Sequence, residues 1–312
     1  MGGVGLLFPG QGAQAVGMGK AFYDRYPESR EIYKRANARL AFDVAALCFE
    51  GPPEDLATTR RCQPALLVTS LAAFAALSSA HPGLHISAAA GLSLGELTAL
   101  TAAQVFTLSD ALYLVQARAD AMAECAAQSP GAMLAVIGLS EEQIAEVCRT
   151  AGVVAANLNA PEQVVLSGSV PGIEQADAAA KALGAKRAIR LEVSGAFHSP
   201  LMQPAADVFR AALGKVALSL PRFPVLSNVT AAPAQRPEEI RELLVKQIVS
   251  PVRWEASMRR FVQEGVAVCV EFPPARVLSG LFRRIDPSVK CVPVDEPADL
   301  EKFAGLIGAA SS

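Results

Sequence analysis

The residues Gly91-Leu92-Ser93-Leu94-Gly95 place a serine between two glycines. A short apolar run precedes them and a helical pattern begins at Glu96. A serine on a sharp strand-to-helix turn is held exposed, and the flanking glycines remove side chains that would clash there. Its oxygen would lie beside the free backbone N–H groups of a helix N-terminus, which favour developing negative charge. The context predicts Ser93 as a nucleophile rather than an ordinary serine in a glycine-rich turn.

A serine needs a base, and the chain has three histidines, His81, His85 and His198. His85 lies in the strand leading to the turn. Eight extended residues span on the order of 25 Å, so His85 sits at the far end of that strand, with His81 further back. Elimination leaves His198, in Gly195-Ala-Phe-His-Ser-Pro. Asp110, Asp120 and Glu192 lie between Ser93 and His198 in chain order, as a third carboxylate would, but none sits in a motif. An amide or a backbone carbonyl could orient the imidazole instead.

Arg118 falls on or beside an apolar helical face formed by Leu114, Val115, Met122 and Cys125. A buried guanidinium needs an anion, and its planar fork suits a carboxylate. A structural pairing with Asp120 or Glu124 is the alternative.

The elements that must hold these residues are short strands alternating with helices, which predicts an α/β class. Val4 to Phe8 ends at Pro9-Gly10 and reads as a buried strand. His85 to Ala90 is a second strand, and Ser109 is expected to cap a long helix through Met122. Met133 to Ile137, a helix starting at Ser140-Glu-Glu-Gln143, Val153 to Asn157, Gln163 to Leu166, a helix from Gly172 to Leu183 and Ala188 to Val193 give the order β-α-β-β-α-β. Ser140 and Gln143 have capping-box spacing. That order predicts a ferredoxin-like small subdomain at residues 128–196. It would be inserted in an α/β-hydrolase-like large subdomain formed by residues 1–127 and 197–312, with another strand at Val266 to Phe272.

The bulk numbers agree with one such unit. The chain has 312 residues, 52% of them hydrophobic, enough for a sizeable core. A formal net charge of −2 gives no reason to expect nucleic acid or an anionic membrane as partner. Six dispersed cysteines read as reduced thiols and, with three histidines, argue against zinc. Pro64 to Ala80 is apolar but short of a span and reads as a buried helix. The first residues lack a charged n-region, so a cytoplasmic location is expected.

Four segments then carry a resemblance. Phe8-Pro-Gly-Gln-Gly-Ala-Gln14, Gly91-Leu-Ser-Leu-Gly-Glu96, Ala196-Phe-His198 and Gln247-Ile-Val-Ser-Pro-Val-Arg-Trp254 are similar to the malonyl-CoA:acyl carrier protein transacylases of fatty acid and polyketide synthesis. Asn157 to Gly168 is similar too, so the likeness covers nearly the whole chain in order. The resemblance implies a ping-pong reaction without cofactor: Ser93 takes a malonyl group from malonyl-CoA and passes it to the phosphopantetheine thiol of an acyl carrier protein. It implies oxyanion-hole N–H groups at Gln11 and Leu94, a carboxylate-binding Arg118 and a histidine-orienting Gln247. Phe197 resembles malonyl-selective members, in which the ring fills the space of an α-methyl branch. Leu92 departs from the family's usual Gly-His-Ser and alters the polarity of the pocket. Glu271-Phe-Pro-Pro-Ala-Arg276 departs from its usual Gly-Pro-Gly turn. The family is commonly monomeric, so a single copy is expected.

A proofreading acyl-thioester hydrolase of a polyketide pathway shares Ser93 and His198 but often lacks the arginine. A transacylase for a substituted malonyl or other acyl group is a further reading, left open by Leu92. A non-catalytic docking module is disfavoured by the full set of Gln11, Ser93, Arg118, His198 and Gln247. A dinucleotide site at Gly10-Gln-Gly12 lacks the acid that should end a second strand about 20 residues later. An acidic carrier protein would meet surface cations, with Arg187, Arg190, Arg259 and Arg260 as candidates.

Overall fold

The computed structural model describes residues 3–309; residues 1, 2 and 310–312, at the outer ends of the expected large subdomain, lie outside them. Eight strands form two sheets. They are β1 Gly3–Phe8, β2 Ile86–Gly91, β3 Gly131–Ile137, β4 Val154–Ala160, β5 Gln163–Ser169, β6 Arg187–Arg190, β7 Val266–Glu271 and β8 Lys290–Pro293. The first sheet has the order β2-β1-β7-β8 with every neighbouring pair parallel. Its middle strands are near-continuous apolar runs, as expected where helices cover both faces. The second sheet has the order β4-β5-β3-β6 and is antiparallel throughout. The chain is therefore α/β, as its alternating strand and helix patterns predict.

Two apolar clusters flank the parallel sheet. One gathers Leu6, Phe8 and Phe272 with the helix Thr59–Ala80. The other gathers Leu7, Ala88, Ala90, Trp254 and Phe261. Thr59–Ala80 is long and apolar enough to cross a membrane, yet 78% of its most apolar stretch is buried inside the protein. It is a core helix, as the serines and threonines interrupting it suggest.

Several element ends differ from the sequence reading. The long helix spans Leu108–Gln128 and is capped by Thr107, whose hydroxyl accepts from the Asp110 N–H, not by Ser109. Both residues are good caps; the one placed before the apolar stripe prevails. The helix expected from Gly172 starts at Val170, because Ser169 caps it through the Gly172 N–H. Strand β4 runs on through Asn159, so the hairpin turn is Pro161-Glu162. The last small-sheet strand is only Arg187–Arg190, and residues 191–196 descend toward the larger unit without pairing as a named strand. The capping box at Ser140 and Gln143 is formed as predicted.

The two sheets are tied together next to Ser93. Val252 donates its N–H to the Ala156 carbonyl, and its own carbonyl accepts from Leu158, so residues 247–254 run along β4. Residues 224–226 run parallel to the other side of β2, with Leu226 N–H donating to the Ala89 carbonyl. Both segments deliver side chains to the carboxyl end of β2, where open α/β sheets place their sites.

Candidate active site

Ser93 sits between β2 and the helix Leu94–Ala102 at φ 54°, ψ −104°. A non-glycine residue in that region is strained by about 1–3 kcal/mol and persists only where its surroundings hold it. The surroundings do so from both sides. The Ser93 N–H donates to Asn228 Oδ1 at 2.8 Å, and the Ser93 carbonyl accepts from Gln247 Nε2 at 3.0 Å. Asn228 is itself pinned by donating Nδ2 to the Gly91 carbonyl. The glycines are a packing requirement. A Cβ on Gly91 would overlap the Gly95 backbone, and one on Gly95 would overlap the Phe8 carbonyl.

Ser93 Oγ lies 2.7 Å from His198 Nε2. His198 Nδ1 is 2.8 Å from the Gln247 carbonyl oxygen. A carbonyl can only accept, so Nδ1 carries the proton and Nε2 presents its lone pair to the serine. His85 is at the opposite end of β2, its carbonyl accepting from Val4. His198 is buried, and burial together with the charge of Arg118 pulls its pKa down to about 4. The imidazole is thus neutral at neutral pH, the form a base needs. Asp110 accepts from the hydroxyl of Thr107 at the start of its own helix, Asp120 pairs with Arg60, and neither holds the imidazole. That part is taken by the backbone carbonyl of Gln247, while its side chain serves Ser93 and Arg118.

Arg118 lies mid-helix and 2% exposed. It donates to Gln63 Oε1 at 2.7 Å, to Gln247 Oε1 at 3.0 Å and to Ser93 Oγ at 3.0 Å. All three acceptors are uncharged. Asp120 and Glu124 pair with Arg60 on the exposed face instead. Burial lowers the Arg118 pKa to about 10, against the field of Glu96, so it stays charged at neutral pH. Glu96 is the one acid acting on it, and it is not within ion-pair distance among the described residues.

These groups line a cleft of about 440 Å³. Gln11, Leu92, Ser93, Leu94, Arg118, Phe197 and His198 all face it. Gln11 follows β1, its side chain donating to Thr59 Oγ1 at 3.3 Å. Leu94 is the first residue of its helix, whose first N–H groups have no partner within the helix. Phe197 is buried at the cleft wall beside the histidine. The Leu92 side chain packs close against Gly10, which lines the same cleft. Gln247 and Phe197 thus lie in one place with Ser93, His198 and Arg118.

Sequence reasoning did not single out Gln63, Glu96 or Asn228. Glu96 accepts from Gln247 Nε2 at 2.6 Å and from the Asn228 N–H at 3.0 Å. Its signal was an acid one turn into an otherwise apolar helix. Asn228 stands in an unremarkable Ser-Asn-Val-Thr stretch and offered none. Glu271 opens the segment that departs from the family's Gly-Pro-Gly turn. Its buried carboxylate accepts from the N–H groups of Leu278 and Ser279 and so caps the helix Val277–Ile285.

The model of the acyl transferase domain matches residues 6–290. The chain belongs to the acyl transferase family of the malonyl-CoA:acyl carrier protein transacylases. It is an acyltransferase. It is 40% identical over 303 residues to the malonyl CoA-acyl carrier protein transacylase of Bacillus subtilis (strain 168), covering 96% of this chain and 95% of that one. The crystal structure of an acyl-carrier-protein S-malonyltransferase from Bartonella henselae superposes with a TM-score of 0.94 at 36% identity, covering 98% of this chain and 99% of the other. A malonyl-transacylase solved in complex with its type II polyketide synthase acyl-carrier protein superposes with a TM-score of 0.93 at 37% identity, covering 96% and 98%.

Proposed function

We propose that this acyltransferase moves a malonyl group from malonyl-CoA to the phosphopantetheine thiol of an acyl carrier protein through an ester on Ser93. The observation that carries the reading is the contact of Ser93 Oγ with both His198 Nε2 and the buried, carboxylate-free Arg118. One atom is thereby placed beside a base and beside a cation suited to the free end of a dicarboxylic acyl group.

In the first half-reaction the Ser93 hydroxyl gives its proton to His198 Nε2 as Oγ bonds to the thioester carbon. The resulting oxyanion is received by the backbone N–H groups of Gln11 and Leu94. Collapse breaks the carbon–sulfur bond, and the CoA thiolate leaves with the proton held by His198. In the second half-reaction the carrier thiol gives its proton to His198, its sulfur attacks the Ser93 ester, and the serine oxygen recovers the proton. His198 is neutral at the start of each half, as its lowered pKa requires. Arg118 holds the malonyl carboxylate throughout, displacing its contact with Ser93. Phe197 occupies the space an α-methyl branch would take. Each of these side chains comes from one chain, so the reading needs no second copy, metal or cofactor.

The antiparallel unit we read as a ferredoxin-like subdomain, with the parallel sheet as an α/β-hydrolase-like one. The strand order β4-β5-β3-β6 with one helix in each crossover supports the first of these readings. The carrier protein would approach the cleft where they meet. Of the four candidate cations, Arg259 and Arg260 are paired within their own helix and Arg190 lies 3.9 Å from Glu174. An acidic partner would compete with those surface pairs, each worth little.

The test is a chase. Malonyl-enzyme freed of CoA is mixed either with carrier protein bearing its phosphopantetheine arm or with buffer alone. Transfer to the carrier with slow loss in buffer supports the transacylase. Equal loss in both points to the acyl-thioester hydrolase.

A further inference from the structure

Glu96 is a carboxylic acid, 3% exposed, that the reaction as written does not use. Among the described residues its carboxylate makes no hydrogen bond to the cleft residues; it touches what holds them. Its Oε2 accepts from Gln247 Nε2 at 2.6 Å and from the Asn228 N–H at 3.0 Å. Gln247 in turn supplies Nε2 to the Ser93 carbonyl, Oε1 to Arg118 and its backbone carbonyl to His198 Nδ1. Asn228 supplies Oδ1 to the Ser93 N–H. A single acid is therefore one step from Gln247, which reaches the serine peptide, the imidazole and the guanidinium, and from Asn228, which holds the serine N–H.

The arrangement also settles which way the Gln247 amide faces. Its NH₂ can only donate and its oxygen can only accept. A carboxylate on one side and a guanidinium on the other leave one orientation in which both ends are satisfied: nitrogen to Glu96, oxygen to Arg118. The flipped amide would set two donors against each other and oxygen against oxygen. Without Glu96 the amide nitrogen loses the shortest and only charged of its acceptors, leaving the Ser93 carbonyl to hold it, and the strained Ser93 peptide is less firmly restrained.

We propose that Glu96 is a positioning residue for the acylation step, fixing the Gln247 amide and the Asn228 backbone so that Ser93, His198 and Arg118 are held in register. This rests on the reading of Ser93 and His198 given above. The electrostatics support it. Burial outweighs the lowering pull of the Asn228 N–H, the Gln247 amide, the Ser227 hydroxyl and the charge of Arg118, and leaves the Glu96 carboxyl raised to about 7. Arg118 is the charged group acting on it among the described residues. The acid is thus divided between its two forms near neutral pH, and its ionised form is the stronger acceptor for the amide.

The experiment is single-turnover acylation by malonyl-CoA between pH 5.5 and 9, for the wild type, Glu96→Gln and Glu96→Ala, with thermal unfolding of each. Glu96→Gln keeps an acceptor oxygen and loses the charge; Glu96→Ala loses both. The expected result is a maximal rate about tenfold lower in Glu96→Gln and about a hundredfold lower in Glu96→Ala, since charge-assisted hydrogen bonds are roughly twice as strong as neutral ones. KM for malonyl-CoA should change less than about threefold, because ground-state binding is not what Glu96 serves. The wild type should lose rate as pH falls through about 7, and Glu96→Gln should lack that step. Wild-type rates and an unchanged step in Glu96→Gln would overturn the proposal, and this variant decides alone if Glu96→Ala does not fold. A Glu96→Ala defect that merely tracks lost thermal stability, with Glu96→Gln like wild type, would overturn it too. Failure of the wild type to acylate at Ser93 would instead remove the reading on which the proposal rests.

Discussion

Arg60 and Arg118 lie on neighbouring packed helices and are satisfied in opposite ways. Arg60 is half-exposed and reaches two carboxylates, Asp120 at 3.1 Å and Glu124 at 3.2 Å. Arg118 is buried and meets only two amide oxygens and the Ser93 hydroxyl. The acids that could have neutralised Arg118 from its own helix point outward to Arg60. Where water already screens the charge, the protein adds acids that contribute little. Where burial makes an unpaired charge costly, it leaves the pairing to be completed. The difference is what the proposed function asks for: a buried cation kept free of carboxylates so that the acyl group's own carboxylate can pair with it.

The contrast can be broken most severely at the group beside Arg118. His198→Ala removes the proton acceptor while leaving the cation, and acylation should fall on the order of 10⁴-fold, measured by CoA release. Next comes the cation itself. Arg118→Ala should lower the malonyl-to-acetyl preference about 10- to 100-fold, the worth of roughly 1.5–3 kcal/mol for hydrogen bonds to a charged group. An unchanged preference in a competition assay would mean that the carboxylate is bound elsewhere.

The contrast also has a pH signature. His198 must be neutral to act, and its pKa is lowered to about 4 by burial first and by Arg118 second. Below the partial step that Glu96 gives near pH 7, the His198 limb of kcat/KM for the free enzyme should therefore lie near pH 4, well below the ordinary histidine value of 6.5. Arg118→Gln removes the like charge and should move that limb toward higher pH. A limb that stays in place would show that the Arg118 charge does not reach the imidazole.

Two smaller effects sharpen the comparison. Phe197→Ser should admit methylmalonyl-CoA about tenfold better relative to malonyl-CoA, the scale of one methyl group in a fitted pocket. Arg60→Ala should leave acylation unchanged and cost less than about 1 kcal/mol in chemical denaturation, as exposed pairs do. A large rate loss in Arg60→Ala would erase the distinction between the two arginines.

How much of this was legible in the sequence follows from what each residue's role depends on. Ser93 was legible because its strain is local: two glycines and a strand-to-helix switch mark the turn in five residues. His198 was legible by elimination among three histidines. The order of the small unit was legible because its apolar periodicity changes between strand and helix and Ser140-Gln143 marks a start. Strand and helix ends were not, because Thr107 and Ser109, or Ser169 and Gly172, offer competing starts that only packing decides. Glu96, Asn228 and Gln63 were not singled out because their roles lie in partners 55 to 151 residues away. Spacing along the chain carries no trace of such contacts. The residue that orients His198 illustrates the limit. Its position was implied by the resemblance, but the atom that does it belongs to the backbone, which every residue has.

The most direct measurement is intact-protein and peptide mass spectrometry after a brief exposure to equal malonyl-CoA and acetyl-CoA, for the wild type and Ser93→Ala. The account predicts a malonyl adduct on the Ser93 peptide of the wild type, little acetyl adduct, and none of either on Ser93→Ala. An adduct that survives in Ser93→Ala, or an acetyl adduct that matches the malonyl one, would contradict it.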